Sequence, residues 1–355
     1  MCILAIDLGK SNSVACVYDP SSGAHRFRGV AMVPAEMDQL IEKTAPERVV
    51  IEICAQAGWV GDLVRARGIA LEVANTNEEA WAWRKVKRKT DRDDALKLAR
   101  MSAMNQLPTV HLPEHGVRQW RSILHYRQTL VARRTSVKNR IRSILEAEAI
   151  RLPSGKAGWT RVQRLRLREM ARSWEEASVE DLWRAELQEE LDHLEQLELS
   201  LKRVEGKLDT LAAADPRVKQ LKTIPAVGPR LAEMVVAVID DPHRFRSGKE
   251  VGSYVGMTPR RFQSGQMDRQ GRISGRGHKD LRKLLVEVSW LGLRLNPRLR
   301  AVFDRTCRGM KKRRKIAIVA VARRLLIWCW AMLRDGTTWK TAPPGGTEQG
   351  FVQAA

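Results

Sequence analysis

Ile3-Leu4-Ala5-Ile6-Asp7-Leu8-Gly9 opens the chain with an apolar run that ends on a carboxylate and a glycine. Val49-Val50-Ile51-Glu52-Ile53 repeats the theme, with a carboxylate inside a second apolar run. A buried carboxylate is costly unless a cation meets it. Working outward, residues 3–8, 14–18 and 26–30 read as three short strands, with Gly9-Lys10-Ser11-Asn12 and Pro20-Ser21-Ser22-Gly23 as turns. A helix near 34–44, the strand 48–53, a helix near 57–67 and the strand 69–74 follow, and Asn75-Thr76-Asn77 leads into helical sequence. The order βββαβαβα places three antiparallel strands before parallel crossovers, as in a ribonuclease-H-like α/β domain.

In that layout Asp7 on the first strand and Glu52 on the fourth are sheet neighbours. Asp91 and Asp94, in Lys89-Thr90-Asp91-Arg92-Asp93-Asp94-Ala95-Leu96, share one helix face at i and i+3. Singly each acid has an ordinary reading, as a turn cap, a strand-end charge or a first-turn helix acid. Together they point to one carboxylate cluster, the oxygen-only donor set that magnesium prefers, and magnesium on carboxylates is the usual apparatus for cutting phosphodiesters. Asp93 is expected to point into solvent.

The chain has 355 residues, room for two or three domains, and a formal net charge of +22. The charge is unevenly placed. Residues 1–84 hold 8 Lys/Arg against 11 Asp/Glu, and residues 258–334 hold 21 against 4. An acidic catalytic part and a basic grip for a polyanion follow. Five cysteines without CxxC spacing and the absence of a signal peptide suit a reducing cytosol. Histidines do not cluster, so zinc has no support. Ile316 to Leu333 is apolar but carries Arg323 and Arg324 mid-run, which reads as a buried helix and not a membrane span.

Residues 114–148 turn helical, with Val117, Trp120, Leu124, Val131, Val137, Ile141, Ile144 and Leu145 as an apolar stripe. Residues 151–176 are basic and irregular at first, and 178–213 repeats leucines in heptad-like steps. Two such segments predict an antiparallel hairpin, an oligomer interface, or both. Asp215-Pro216 marks a boundary. Thr223-Ile224-Pro225-Ala226-Val227-Gly228-Pro229 then resembles a helix-hairpin-helix turn, which aims backbone N–H groups at a phosphate. Residues 253–283 combine Gly265, Gly271, Gly275 and Gly277 with Arg260, Arg261, Arg269, Arg272, Arg276 and Arg282, and read as a flexible loop. Ser264, between Gln263 and Gly265, is a candidate nucleophile toward phosphorus, and Ser274 is its competitor. Lys279 and the run Lys311, Lys312, Arg313, Arg314 extend the candidate nucleic-acid contacts.

Taken together, these motifs resemble the DEDD-type insertion-sequence transposases related to the Piv DNA invertases. Asp7 in Ala-Ile-Asp-Leu-Gly-Lys, Glu52 in Val-Ile-Glu, and Asp91 and Asp94 in Lys-Thr-Asp-Arg-Asp-Asp-Ala resemble the four family acids. Gly256-Met257-Thr258-Pro259, Gln263-Ser264-Gly265 and Ile273-Ser274-Gly275-Arg276-Gly277 resemble the C-terminal transposase domain. Ala226 departs from the pattern, standing where the family often has glycine. The resemblance implies an N-terminal ribonuclease-H/RuvC-like domain over 1–108, a helical coiled coil over 109–215, and a basic, mainly helical transposase domain over 216–335. Residues 336–355 are expected to be a disordered tail. It implies a composite site in which Asp7, Glu52, Asp91 and Asp94 bind Mg2+ and Ser264 attacks the scissile phosphate, leaving a phosphoserine–DNA intermediate and needing no ATP. It also implies donor and target DNA, a non-coding bridge RNA as guide, a dimer or tetramer, and a cytoplasmic, nucleoid-associated protein. The alternative is a Mg-dependent RuvC-like nuclease that activates water. A sugar-kinase-like ATPase suits Asp7-Leu8-Gly9-Lys10 alone and lacks the second phosphate loop; a non-catalytic DNA binder does not explain four retained acids.

Overall fold

The structure is a computed structural model that describes residues 2–75, 90–265 and 267–340. It divides into two compact units, one through Arg118 and one from Gln119 on. The first contains β1 (Ile3–Asp7), β2 (Asn12–Tyr18), β3 (His25–Ala31), α1 (Pro34–Thr44), β4 (Arg48–Glu52), α2 (Ala57–Ala66), β5 (Ala70–Ala74) and α3 (Asp91–Ala103). The strands form one sheet in the order β3-β2-β1-β4-β5. β2 runs antiparallel to both β1 and β3, while β1–β4 and β4–β5 are parallel. This is the mixed sheet of the ribonuclease-H-like expectation.

The apolar runs that lack alternation are explained by burial on both faces of the parallel part. Leu4, Ile6, Val49 and Ile51 pack with Met37 and Ile41 of α1 and Val60 and Val64 of α2. Ile3, Ala5, Cys16 and Val50 pack on the other side with Ala95, Leu98 and Ala99 of α3. The sheet is extended past the expected domain end at 108: Thr109 bridges Ala74, Val110 N–H donates to Val73 O at 2.8 Å, and Arg118 pairs with Asp62. The compact unit therefore runs through Arg118. The helical sequence expected after Asn77 falls, for 76–89, outside the described residues.

The second unit takes in both helical regions as one body. Two 33-residue helices, α4 (His115–Ala147) and α6 (Leu182–Ala214), lie antiparallel, with Leu130, Val137, Ile141 and Leu145 against Leu187, Leu191, Leu194 and Leu201. Arg127–Glu205 at 2.7 Å, Lys138–Glu198 at 3.5 Å and Arg140–Glu186 stitch the pair in that sense. The hairpin expectation is thus met within one copy. Between them lies α5 (Arg161–Met170), in sequence that reads as irregular. It buries Leu167 and is held to α6 by Arg164–Glu198 and by Arg168 on Asp192 and Glu195.

The core of the unit is built around α8 (Pro229–Ile239), in which every residue from Leu231 to Ile239 is buried. Around it stand α7 (Pro216–Leu221), α9 (Gly248–Tyr254), α10 (Lys279–Leu295), α11 (Pro297–Cys307) and α12 (Arg314–Asp335). The turn from α7 to α8 puts Ala226 at φ +81°, a left-handed conformation that glycine adopts more freely than alanine. Residues Lys311–Asp335 make a helix long and apolar enough to cross a bilayer by length and composition. Val321, Leu325, Leu326, Cys329 and Trp330 of that helix are fully buried in the protein core, as the buried-helix expectation requires. The expected disordered tail is ordered at its start. Trp339 packs on Trp328 at 5.2 Å, and its backbone N–H donates to Thr223 Oγ1 at 2.9 Å. Residues 341–355 lie outside the described residues.

One expectation is corrected. The glycine- and arginine-rich stretch is not a flexible loop but a two-stranded antiparallel ribbon, β6 (Pro259–Ser264) with β7 (Met267–Ile273). It forms because the bend falls at Gly265, whose φ of +55° glycine tolerates, and because Arg261 pairs across the strands with both oxygens of Asp268 at 2.8 and 2.6 Å.

Candidate active site

Asp7 is the last residue of β1 and Glu52 the last of β4. Ile6 is in register with Ile51, so the two acids follow on neighbouring parallel strands at the same end of the sheet, where ligand crevices of such sheets lie. Both are half-buried. The turn beyond Asp7 is tight. A Cβ on Gly9 would fall 1.9 Å from the Asn12 carbonyl oxygen, and Gly9 N–H donates to Ser13 Oγ at 3.1 Å.

α3 brings the remaining acids. Thr90 caps it, accepting from Asp93 N–H at 3.3 Å, while Asp93 Oδ2 accepts from Thr90 N–H at 3.1 Å. Asp93 thus has a structural role as the capping-box acid as well as being exposed. Asp94 is buried at 7% exposure on the face that carries Ala95 and Leu98 to the sheet. Asp91, one turn earlier, is exposed, so the two do not share the buried surface. The far end of α3 is fixed by a polar lock that the sequence did not reveal. Ser102 Oγ donates to Glu72 at 2.6 Å, and Arg48 meets Glu72 at 2.9 Å and Ser102 O at 3.3 Å.

An oxygen-only set of Asp7, Glu52, Asp91 and Asp94 has the donor chemistry that a hard divalent cation requires. Among the described residues, however, no group of three or more Asp, Glu, His or Cys side chains is gathered closely enough to hold a metal ion. The backbone brings Asp7 and Glu52 together; the side chains do not form a closed ligand set.

Ser264 ends β6, faces Met267 across the ribbon and is exposed, as is every residue of its strand. Ser274 is half-buried at the ribbon foot; its N–H donates to Thr258 O at 2.8 Å and its carbonyl accepts from Arg260 at 3.2 Å. Arg260, Arg261, Arg269, Arg272, Arg276 and Lys279 are exposed along the ribbon and its foot. Lys311, Lys312 and Arg314 are exposed at the start of the α12 run, and Arg313 is half-buried. Arg282 is different. Its guanidinium donates to Val255 O at 2.6 Å, Arg276 O at 2.8 Å and Gly275 O at 2.7 Å, which makes it a clasp for the foot. Two glycines complete the clasp: a Cβ on Gly256 would meet Arg276 O at 1.7 Å, and one on Gly277 would meet Tyr254 O at 2.1 Å. Burial, with Arg121, Arg244 and Arg282 nearby, pushes His278 down to about 4, so the imidazole beside Tyr254 is neutral at pH 7.

Two family descriptions match the chain. Residues 4–149 match a DEDD transposase domain of the IS110 type, and residues 218–304 match "Transposase IS116/IS110/IS902 family". A putative transposase of Sinorhizobium fredii is 28% identical over 82% of this chain and 78% of its own length. A probable family 20 transposase of Pseudomonas aeruginosa is 28% identical over 70% and 72% respectively. A pilin gene-inverting protein of Moraxella lacunata is 31% identical over 34% and 37%. Among solved structures, that of Thermus thermophilus RuvC is similar at 15% identity, covering 31% of this chain and all of that one with a TM-score of 0.23; the strand order, and not this likeness, fixes the fold.

Proposed function

Because the chain belongs to the IS116/IS110/IS902 family of transposases, enzymes that cut and rejoin DNA, we propose that it does so by transesterification through Ser264, with Asp7, Glu52, Asp91 and Asp94 as the acidic set. The observation that carries the acidic assignment is the placement of Asp7 and Glu52 at the same end of adjacent parallel strands, under a helix that buries Asp94. The preference for Ser264 over Ser274 is supported by exposure at the ribbon tip against half-burial at the foot.

The Ser264 hydroxyl gives up its proton as its oxygen bonds to phosphorus. The bond to the departing 3′ oxygen breaks, and that oxygen takes up a proton. The DNA is left joined to the serine by its 5′ phosphate, and attack by a 3′ hydroxyl later reverses the step. One phosphodiester is exchanged for another, so no ATP is consumed. A magnesium ion held by the four acids would offset charge developing on the phosphoryl oxygens. The arginines of the ribbon would hold the DNA backbone by charge and planar donor geometry. The α7–α8 turn, in the manner of a helix-hairpin-helix, would add backbone N–H contacts to phosphate. Donor and target DNA are the substrates, a bridge RNA supplies sequence choice, and the several cuts call for a dimer or tetramer working at the nucleoid.

The test is to trap protein on DNA under denaturing conditions with Mg2+ present. Wild type should yield a covalent adduct, Ser264→Ala none, and Asp7→Ala neither adduct nor cut strand. Strand cutting that persists in Ser264→Ala while Asp7→Ala abolishes it would assign the attack to water and refute the serine.

A further inference from the structure

A cavity of about 450 Å³ opens on the flank of α4, with Arg134, Lys138 and Arg142 along one wall and Trp159 on another. The three cations stand at steps of four, one stripe of a single helix. Thr135, Asn139 and Ser154 add two hydroxyls and a carboxamide to the lining. Among the described residues, no carboxylate lines it. The nearest acid, Glu198, reaches Lys138 Nζ at 3.5 Å and is already committed, with both oxygens accepting from Arg164 at 2.5 and 2.8 Å.

Two of the three cations, Lys138 and Arg142, are held in place. Lys138 Nζ sits 4.8 Å and Arg142 Cζ 5.5 Å from the centre of the Trp159 ring. Arg142 also donates to Leu152 O at 3.2 Å and Pro153 O at 2.8 Å. The loop beneath is folded so closely that a Cβ on Gly158 would come 2.3 Å from Pro153 O. Burial pushes the Lys138 ammonium down against the pull of Glu198, and Arg134 and Arg164 push it the same way as burial. Held cations with polar donors between them and no lining acid make a concave seat for an anion.

We propose that this cavity binds a backbone phosphodiester of nucleic acid, a contact on the helical hairpin lined by no residue of the β6–β7 ribbon. It extends the grip to sequence outside the basic C-terminal stretch, and it stands whether serine or water does the cutting. A chain with a net charge of +22 meets polyanions, and a phosphodiester presents the oxygens that two guanidinium groups, an ammonium and three neutral donors recognise.

The experiment measures affinity of the full chain against salt for two probes, a random-sequence DNA duplex and a transfer RNA. Each phosphate contact adds about 0.9 to the magnitude of the log–log slope on duplex DNA and about 0.7 on single strands. Arg134→Gln should lower the slope by about that amount on the probe that occupies the cavity, which distinguishes DNA from RNA. Arg134→Lys should restore it. Arg133→Gln, an equal loss of charge at the adjacent exposed position, should leave it unchanged. Unchanged slopes on both probes in Arg134→Gln, or an equal fall in Arg133→Gln, would overturn the proposal.

Discussion

Replacing Arg282 by methionine should unfasten the foot of the ribbon. The side chain donates three hydrogen bonds of 2.6 to 2.8 Å to the carbonyls of Val255, Gly275 and Arg276. A bond to a charged donor contributes about 1.5–3 kcal/mol net where the acceptor is buried, and less where water can replace it. Val255 is fully buried, so its carbonyl carries the larger loss; Gly275 and Arg276 are exposed and rehydrate. The sum is roughly 2–4 kcal/mol, about 4–16 °C in Tm for a body of this size. Arg282→Lys keeps the charge but cannot span three carbonyls, so it should lose about half or more of that. Thermal unfolding followed by circular dichroism gives the magnitude. Hydrogen exchange gives the place: the amides of Ser274 and Gly275, which donate to Thr258 O and Gly256 O, should lose protection before those of α8. If Tm and those two amides are unchanged in Arg282→Met while DNA affinity falls, the residue is a phosphate contact and the clasp reasoning is wrong.

Ala226→Gly should stabilise the second unit. Relief of the left-handed backbone is worth about 1–2 kcal/mol, against about 0.4–1 kcal/mol of added unfolded-state entropy, for a net gain of about 0.5–1 kcal/mol in urea unfolding; a loss of stability would show that the backbone is unstrained there. Glu233 is fully buried beside Arg230, and burial pushes its carboxyl from 4.5 up to about 7. Its folded value is raised, so its stabilising contribution is complete below pH 4.5 and is lost as pH rises through about 7, at most roughly 3 kcal/mol. Glu233→Gln should therefore shrink the stability difference between pH 5 and pH 8; the same pH difference in variant and wild type would refute this.

The first unit was legible because its signals are local and periodic. Apolar runs of four to six residues, bounded by Gly9, Pro20 and Gly23, mark strands, and a βββαβαβα order leaves few topologies. The sheet-end positions of Asp7 and Glu52 follow from that order. Whether their side chains close on a cation does not follow, because it depends on rotamers and not on register. The ribbon escaped notice because β6 has no buried face, so the strand shows no apolar alternation, and its glycines mask it as loop. α5 was hidden for a related reason: Leu167 is its buried residue, and its partners Asp192, Glu195 and Glu198 lie on another helix. The stripe Arg134, Lys138, Arg142 was readable as spacing, but the Trp159 wall opposite it is brought in by a distant loop. Arg282 looked like one more basic residue until its three carbonyl partners were in place.

The ribbon has a further consequence. A two-stranded sheet with both long edges open offers unpaired N–H and C=O groups to any other extended chain. Here those edges bristle with like charge from Arg260, Arg269 and Arg272, so two copies repel before their strands can pair. Neutralising the arginines to weaken DNA contact would remove this protection too, and expose Phe262 and Met267 to self-association into insoluble assemblies.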